Sequence, residues 1–294
     1  MACISKRGII ALIIALSFSW TAYGKTGLES HSGDVKDGYN FWLYNPYQSE
    51  ETDTAGTVMR HPLVIFLHGA SLCGNNLEKV RTYGTIDAIE KGRKLDAYVI
   101  APQNPGGSWN PHKVMKVVDW VESHHPVDTN RIYVLGMSLG GYGTIDVAAT
   151  YPDRIAAAMA LCGGGTVRDL SGLNRVPLWI IHGMADRAVS IRESDIVVEA
   201  MKNADKTTPR LKYDRIPGMN HGQPARFLYL EDTYDWLMSH SLNEDDRKVH
   251  DTFNLGDGIL RKAYQGLTFK NSPRRTNKKK STAQRSSAKR RKKR

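Results

Sequence analysis

A serine between two glycines lies where a predicted strand turns into a predicted helix. The apolar run 131–135 predicts a buried strand, and the residues 136–140 that follow it read Gly-Met-Ser-Leu-Gly. In a G-x-S-x-G turn the serine occupies a tight bend, where larger flanking side chains would clash. The next helix points free backbone N–H groups at the hydroxyl, which favours negative charge there. Ser138 is therefore predicted to be a nucleophile.

A serine hydroxyl is a weak nucleophile at neutral pH, so it needs a general base and an acid that orients the base. His221 lies in a glycine-flanked loop directly after the predicted strand 211–216, and Asp186 lies just past the predicted strand 177–181. Functional side chains collect in the loops after the carboxyl ends of parallel strands. We therefore predict that His221 is the base and Asp186 the acid.

Other residues of the same types are weaker candidates. His182 begins a turn and is predicted to be structural. Asp195 and Asp214 lie inside a predicted helix and a predicted strand, which ranks them below Asp186 as the orienting acid. The chain has neither an H-E-x-x-H motif nor a C-x-x-C pair, so we expect no metal and no organic cofactor.

Acyl transfer develops negative charge on a carbonyl oxygen, and preorganised N–H groups must stabilise that charge in an oxyanion hole. The amide of Leu139, directly after the predicted nucleophile, is one expected donor. The second donor is expected from the loop after the predicted strand 62–68, where Gly69 lets the chain turn close to the site. The amide of Ala70 is the first choice and that of Ser71 the second. An ordinary glycine turn is the alternative interpretation of this loop.

Apolar runs alternate with stretches of helical periodicity along the middle of the chain. Continuous apolar runs predict strands at 62–68, 97–101, 131–135, 155–161, 177–181 and 211–216. Helical spacing predicts helices at 113–124, 190–204 and 225–239. The aromatic-rich segment 39–45 predicts an antiparallel edge strand. Strands separated by helices form a mostly parallel sheet with helices on both faces, so the predicted class is α/β.

The two ends of the chain differ in composition from its middle. Residues 1–24 combine a basic start, the apolar stretch 8–20 and small residues at a cleavage position, which predicts a signal peptide and export. An uncleaved anchor is the alternative. Residues 271–294 hold twelve Lys and Arg residues and no acid, so without them the formal charge of +11 becomes −1. We expect a disordered tail that either contacts polyanions or only solubilises the protein.

Length and composition bound the domain organisation. A chain of 294 residues with 3 cysteines can bury a core without disulfide bonds, which excludes a disulfide-rich mini-protein. The predicted ranges are the signal peptide, a catalytic domain at 25–242 and an extension at 243–294 that ends in the basic tail. Cys73 and Cys162 are the cysteines of the exported part. The sequence leaves two states open: a disulfide bond between these cysteines, or two buried free thiols.

Several stretches together resemble the α/β-hydrolase superfamily, and most closely its secreted bacterial esterases of the predicted-peptidase, phospholipase/carboxylesterase and polyhydroxybutyrate-depolymerase-like group. They are HGASLCGNN from residue 68, VIAPQNPGGSWN from 99, VDTNRIYVLGMSLGGYGTIDVAATYPDRIAAAMALCGGG from 127, VPLWIIHGMADRAVS from 176 and GMNHG from 218. The resemblance covers about 62–242 and implies the α/β-hydrolase fold, whose triads occur in the chain order Ser, Asp, His.

This resemblance carries roles for five residues of the chain. It implies a catalytic triad of Ser138, Asp186 and His221, with Ala70 and Leu139 at the oxyanion positions. Relatives in the group include feruloyl and acetylxylan esterases and prolyl-oligopeptidase-like enzymes, so the motifs are specific for fold and triad and weakly specific for substrate. Several relatives have a cysteine in the loop that here holds Asn104. If that cysteine pairs with the one in the CGGG segment, this chain has lost the pairing unless Cys73 substitutes.

Taken together, these patterns predict a secreted serine carboxylic-ester hydrolase that works through an acyl-enzyme. Only residues 163–176 separate two strands between which many relatives insert a lid, so we expect no lid domain and an open cleft. Such a cleft suits soluble esters or acetyl and feruloyl groups on polysaccharides. Trp109 either lines the cleft as a sugar or aryl platform or caps the core. A serine peptidase of the prolyl-oligopeptidase-like type is the first alternative, and a polyanion-binding protein that uses the basic tail is the second.

Overall fold

The computed structural model describes residues 27–47, 49–256 and 258–269, so the predicted signal peptide and basic tail lie outside the described residues. The strands are β1 (Leu28–His31), β2 (Phe41–Tyr44), β3 (His61–Leu67), β4 (Tyr98–Pro102), β5 (Val127–Met137), β6 (Ala157–Leu161), β7 (Leu178–Gly183) and β8 (Leu211–Ile216). The α-helices are α1 (Thr85–Glu90), α2 (Pro111–His124), α3 (Leu139–Thr150), α4 (Ile191–Ala204) and α5 (Glu231–Met238). Within the described ranges, none of the helices is long and apolar enough to cross a membrane.

The eight strands form one sheet in the order β1-β2-β4-β3-β5-β6-β7-β8. Strands β3 to β8 pair with one another in parallel, whereas β2 is antiparallel to both of its neighbours, β1 and β4. The predicted mostly parallel α/β sheet is confirmed. The predicted edge position of segment 39–45 was wrong, because the short strand β1 pairs with β2 on its outer side. The polar sequence Leu-Glu-Ser-His of β1 has no apolar run that could have predicted it.

Successive residues of each central strand point into two separate cores. In β3, for example, Val64 and Phe66 belong to one core, and Leu63 and Ile65 belong to the other. Helices α2, α3 and α4 cover one face of the sheet, while α1 and α5 cover the opposite face. A strand that is buried on both faces needs apolar residues at every position, which explains the continuous runs in the sequence.

Two details of the predicted helices were wrong. The helix predicted at 225–239 is a 3-10 helix, Gln223–Tyr229, followed by α5, with Leu230 in an extended conformation between them. The four residues from Phe227 to Leu230 are all buried, and the break allows this because one face of a continuous helix could not bury four successive side chains. In the helix predicted at 190–204, helical spacing places Ile196 on the inner side, but Ile196 is 46% exposed and Val198 is buried instead.

The described part of the predicted C-terminal extension packs against the face that carries α1 and α5. The ring of Phe253 contacts that of Trp179 at a centroid distance of 5.2 Å. Lys212 Nζ donates a hydrogen bond of 2.6 Å to the carbonyl oxygen of Phe253. Trp236 Nε1 donates one of 2.8 Å to the carbonyl oxygen of His250. Packing therefore continues past residue 242 into the extension.

Candidate active site

Ser138 lies on a sharp turn between β5 and α3, where it is the N-cap residue of the helix. Its φ of 58° is in the left-handed region, which residues other than glycine rarely adopt. A Cβ atom at Gly136 would lie 2.4 Å from the carbonyl oxygen of Gly140, and one at Gly140 would lie 1.8 Å from that of Leu67. The two glycines are thus required by the close approach of α3 to β3 and β5, and this approach holds the serine at the sheet edge.

The structure brings Ser138, His221 and Asp186 into one hydrogen-bonded line. His221 Nε2 lies 3.0 Å from Ser138 Oγ, and His221 Nδ1 lies 2.7 Å from Asp186 Oδ2. Because an ionised carboxylate can only accept, Nδ1 carries the proton and Nε2 accepts from the serine hydroxyl. The Asp186 side chain is fully buried, whereas that of His221 is 28% exposed. A reacting group can therefore reach the imidazole and the hydroxyl but not the carboxylate.

The carboxylate of Asp186 remains ionised despite its burial. Burial by itself would raise its pKa, but the amide of Val189, the imidazole of His221 and the amide of Ala188 donate hydrogen bonds to it and bring the pKa below its usual value. The amides of Ala188 and Val189 lie 2.8 and 2.9 Å from Oδ1. This leaves Oδ2 for the imidazole.

His182 lies behind Asp186 as a structural residue, in line with its predicted role. It is fully buried, and its Nδ1 and Nε2 atoms lie 2.7 Å from Ser194 Oγ and 3.1 Å from the carbonyl oxygen of Val189. Burial lowers the pKa of this imidazole. These contacts fix the loop whose amides hold Asp186.

The two weaker acid candidates are engaged elsewhere. Asp195 Oδ1 accepts a hydrogen bond of 2.8 Å from the Tyr213 hydroxyl. Asp214 Oδ2 accepts one of 2.7 Å from Trp179 Nε1. Asp186 is therefore the carboxylate that orients His221.

The two predicted oxyanion donors begin helical segments beside Ser138. Ala70 is the first residue of the 3-10 helix Ala70–Leu72, and Leu139 is the first residue of α3. Neither amide donates a hydrogen bond to any described residue, as is usual for the first turn of a helix. A cavity of about 290 Å³ opens at Ser138 and is lined by Ala70 and Ser71. Both amides remain unpaired beside the hydroxyl.

Tyr83 also lines this cavity, and the sequence analysis missed it. Its hydroxyl accepts a hydrogen bond of 2.8 Å from the amide of Gly69, the residue before Ala70. Burial raises the pKa of Tyr83, against the opposing effect of hydrogen bonds from Gly69 and Ser71, so the phenol is neutral. The contact joins residues 14 apart through a 3-10 segment, which leaves no periodic signal in the sequence.

Trp109 caps the core, so a substrate platform at this position was the wrong alternative. The side chain is only 3% exposed, and Nε1 donates a hydrogen bond of 3.2 Å to the carbonyl oxygen of His68. A Cβ atom at Gly143 of α3 would lie 2.7 Å from the indole. Trp109 therefore packs against α3 and holds the loop after β3 through its hydrogen bond to His68.

Both described cysteines are free thiols. Burial raises the pKa of Cys162 to about 12, so its thiol is neutral. Cys162, Asp186 and His221 are the one set of potential metal ligands within the described ranges, with ligand atoms within 4.8 Å of one another. The carboxylate and imidazole already bind each other and a neutral thiol is a poor ligand, so this geometry favours proton transfer over metal binding.

The chain that leads from β6 to β7 contains no inserted domain. Residues 163–176 are all described, and their only helical segment is the 3-10 helix Ser171–Arg175. None of these residues lines the cavity at Ser138.

Comparisons with known proteins match stretches of this chain to hydrolases. A family model described as the prolyl oligopeptidase family matches residues 101–173. Poly(3-hydroxyalkanoate) depolymerase C of Paucimonas lemoignei is 29% identical over 129 residues, which cover 37% of this chain and 30% of that protein. Probable acetylxylan esterase A of Neosartorya fischeri is 36% identical over 132 residues, which cover 45% of this chain and 34% of that protein. The chain spans about a fifth to a third of the length of the first curated relatives it matches.

Solved structures share the fold over most of the chain. A thermostable esterase superposes with a TM-score of 0.62 at 24% identity, covering 73% of this chain and 63% of that one. S-formylglutathione hydrolase from Staphylococcus aureus superposes with a TM-score of 0.51 at 19% identity, covering 72% of this chain and 96% of that one. The predicted α/β-hydrolase fold is confirmed.

Proposed function

We propose that this chain is a serine carboxylic-ester hydrolase that forms an acyl-enzyme on Ser138. The observation that carries the proposal is the line from Ser138 Oγ through His221 to Asp186, with distances of 3.0 and 2.7 Å. The open cavity beside the hydroxyl and the unpaired amides of Ala70 and Leu139 add support. Similarity to a polyhydroxyalkanoate depolymerase and to acetylxylan esterases points to the same chemistry.

In the proposed reaction, His221 Nε2 takes the proton of the Ser138 hydroxyl while the oxygen attacks the ester carbonyl. Asp186 holds the imidazole and stabilises its charged form. The amides of Ala70 and Leu139 stabilise the negative oxygen of the tetrahedral intermediate. The alcohol leaves with the proton from His221, and an acyl group remains on Ser138. A water molecule that loses its proton to His221 then releases the carboxylic acid and restores the serine.

The acyl group of the proposed substrate is small or planar and lies on a polymer or another bulky alcohol. The cavity of about 290 Å³ has room for an acetyl or a feruloyl group. With no domain inserted between β6 and β7, the alcohol side extends over an open surface. Kinetics on a panel of acetylated and feruloylated xylan fragments would identify the acyl preference, because only the preferred fragments give a high kcat/KM.

The first test compares the two reactions that this fold supports. We expect turnover of p-nitrophenyl acetate and butyrate, and little or none of aminoacyl p-nitroanilides. Ser138→Ala removes the nucleophile, and Ser71→Ala removes another serine hydroxyl that lines the same cavity while keeping its amide. Activity should vanish in the first variant and persist in the second. Preferred cleavage of the anilides would favour the peptidase alternative, which the partial match to the prolyl oligopeptidase family supports.

The two ends of the chain extend the proposal to location and surface contacts. We propose export with cleavage after residue 24, which N-terminal sequencing of the exported protein tests; an intact start would contradict it. We propose that residues 271–294 contact polyanions through their positive charge. Binding to lipopolysaccharide over a salt series, with and without these residues, tests this contact, and unchanged binding after truncation would exclude it.

A further inference from the structure

Two further cavities neighbour the one at Ser138 and share lining residues of the His221 loop. The cavity at Ser138 shares His221 and Gly222 with a neighbouring cavity of about 640 Å³. That cavity shares Gly218 with a third one of about 580 Å³. We call the three neighbouring cavities together the loop groove. Its far end is lined by Leu255, Gly256 and residues 258–261 of the C-terminal extension.

Arginines dominate the charge along the loop groove. Arg187 lines its middle, and Arg215, Arg226 and Arg261 line its far end. The one acid among the described lining residues is Asp214, whose Oδ2 already accepts a hydrogen bond from Trp179. The groove is therefore positive beside the proposed nucleophile.

Three of these guanidinium groups are available for a ligand. Arg215 lies 3.6 Å from Asp195, so it is partly neutralised. In contrast, no described residue forms an ion pair or a side-chain hydrogen bond with Arg187, Arg226 or Arg261, and Arg187 and Arg226 lie before the C-terminal extension. The chain before residue 271 has a formal charge near −1, so this positive strip is a local feature and not a general property of the surface.

We infer that the loop groove binds the sugar chain of an acidic polysaccharide whose uronic acid carboxylates pair with Arg187 and Arg226. This inference rests on the proposed function and adds a substrate class to it. A guanidinium group offers a planar pair of donors that fits a carboxylate in a bidentate manner. Leu255, Ile259 and Leu260 give the far end an apolar wall for the C–H faces of sugar rings.

The length of the loop groove and its link to Ser138 favour a polysaccharide over other anions. A free carboxylate or phosphate would fill only one of the three cavities. A nucleic acid would match the charge but carries no carboxylic ester for Ser138 to cleave. An acylated polyuronide has both features, because its ester sits at the serine while neighbouring acidic sugars extend past His221 and Gly218.

The test compares acetylated oligogalacturonides with acetylated galacto-oligosaccharides of the same length, using the full chain. We expect the wild type to prefer the acidic oligomers at low salt and to lose the preference in high salt, because screening weakens contacts between exposed charges. In the double variant Arg187→Gln, Arg226→Gln, we expect kcat/KM on the acidic oligomers to fall roughly tenfold, mostly through KM. Turnover of the neutral oligomers and of p-nitrophenyl acetate should stay unchanged.

Arg168→Gln is the matched control, because Arg168 is exposed and lines none of the three cavities. It should behave like the wild type, and the basic tail is common to all variants. A preference for acidic oligomers that survives in the double variant would overturn the inference, as would the lack of any preference in the wild type. Equal competition by a DNA oligonucleotide and by de-esterified oligogalacturonide would also overturn it. If the wild type did not turn over p-nitrophenyl esters at all, the proposed function itself would be contradicted.

Discussion

His221 and His240 lie at opposite ends of the strands of the sheet, and their surroundings differ. His221 follows β8 at the carboxyl-end edge, has Asp186 at 2.7 Å and is partly exposed. His240 follows α5 near the start of β5, where Tyr133 Oη donates a hydrogen bond of 2.8 Å to its carbonyl oxygen. It is 1% exposed and stacks on His250 at 4.3 Å. A carboxylate and solvent access prepare the first imidazole to accept a proton.

The imidazole of His240 is prevented from accepting a proton. Its Nδ1 atom donates to the carbonyl oxygen of Trp236 at 2.9 Å, and its Nε2 atom accepts from the amide of His250 at 3.0 Å. Burial, reinforced by the neighbouring His250, lowers the pKa of His240 to about 4. His221 thus has the surroundings of the proposed general base, whereas His240 has those of a packed core residue. This contrast predicts that substitutions around His221 change turnover and those around His240 change stability.

Asp186→Asn should have the strongest effect on turnover. The amide favours the wrong imidazole tautomer and cannot stabilise a charged ring, so kcat on p-nitrophenyl acetate should fall roughly 10³–10⁴-fold. The control is Asp195→Asn, because Asp195 contacts Tyr213 and not His221. Steady-state kinetics of both variants check this, and a loss of less than tenfold for Asp186→Asn would show that His221 does not depend on this carboxylate.

Ala70→Pro tests the oxyanion assignment by removing a single N–H group. Gly69 has φ −79° and ψ 172°, an extended conformation that accepts a following proline, and the first position of a helical turn also tolerates one. Turnover should fall roughly 10²–10³-fold. Ala70→Gly keeps the amide and should retain most of the activity. Equal losses in the two variants would mean that the loop shape, and not the donor, had been tested.

Acid should destabilise the protein through His240. The unfolded imidazole binds a proton below its ordinary pKa of 6.5, whereas the folded one does so only below about 4. Stability from this group is complete above pH 6.5 and is lost as the pH falls towards 4, by roughly 3 kcal/mol. Urea unfolding across this range measures the loss. His240→Gln should be less stable at neutral pH but should show a flatter pH dependence.

His124→Gln is the control for that slope, because His124 is exposed on the outer face of α2. It should leave the pH dependence as in the wild type. The contrast between the two histidines would fail if removing His240 left the acid slope unchanged.

Tyr83→Phe should have the smallest effect on turnover. The amide of Gly69 loses its acceptor, so the loop that carries Ala70 is held less firmly. We expect kcat to fall roughly tenfold with KM unchanged, because the phenol positions the oxyanion loop and does not bind the ester. Tyr151→Phe removes a hydroxyl that contacts only His112 among the described residues, and should keep full activity. A change in KM alone would instead assign Tyr83 to substrate binding.

The proposed catalytic residues could be predicted from the sequence because each follows a strong local signal. The glycines around Ser138 are dictated by backbone contacts below 3 Å, so the turn has a sequence signature. Asp186 and His221 come directly after apolar strands, and parallel topology brings such loops to one edge.

Features that depend on contacts between distant segments left no such signal. Tryptophan is a residue type that can serve as a sugar platform, and only the packing of α3 against Trp109 shows that this residue belongs to the core. Tyr83 meets Gly69 through an irregular segment, and the extension 243–269 has little regular structure although Phe253 is buried. Sequence patterns report periodicity within an element, and these residues owe their positions to neighbours in other elements.

Covalent labelling with a fluorophosphonate tests whether Ser138 is the nucleophile without reference to any substrate. Intact-mass measurement should show one adduct per chain, and peptide mapping should place it on Ser138. Labelling should be absent in Ser138→Ala and slow in Asp186→Asn. Adducts on another residue, or labelling that persists at the wild-type rate in Ser138→Ala, would contradict the proposed mechanism.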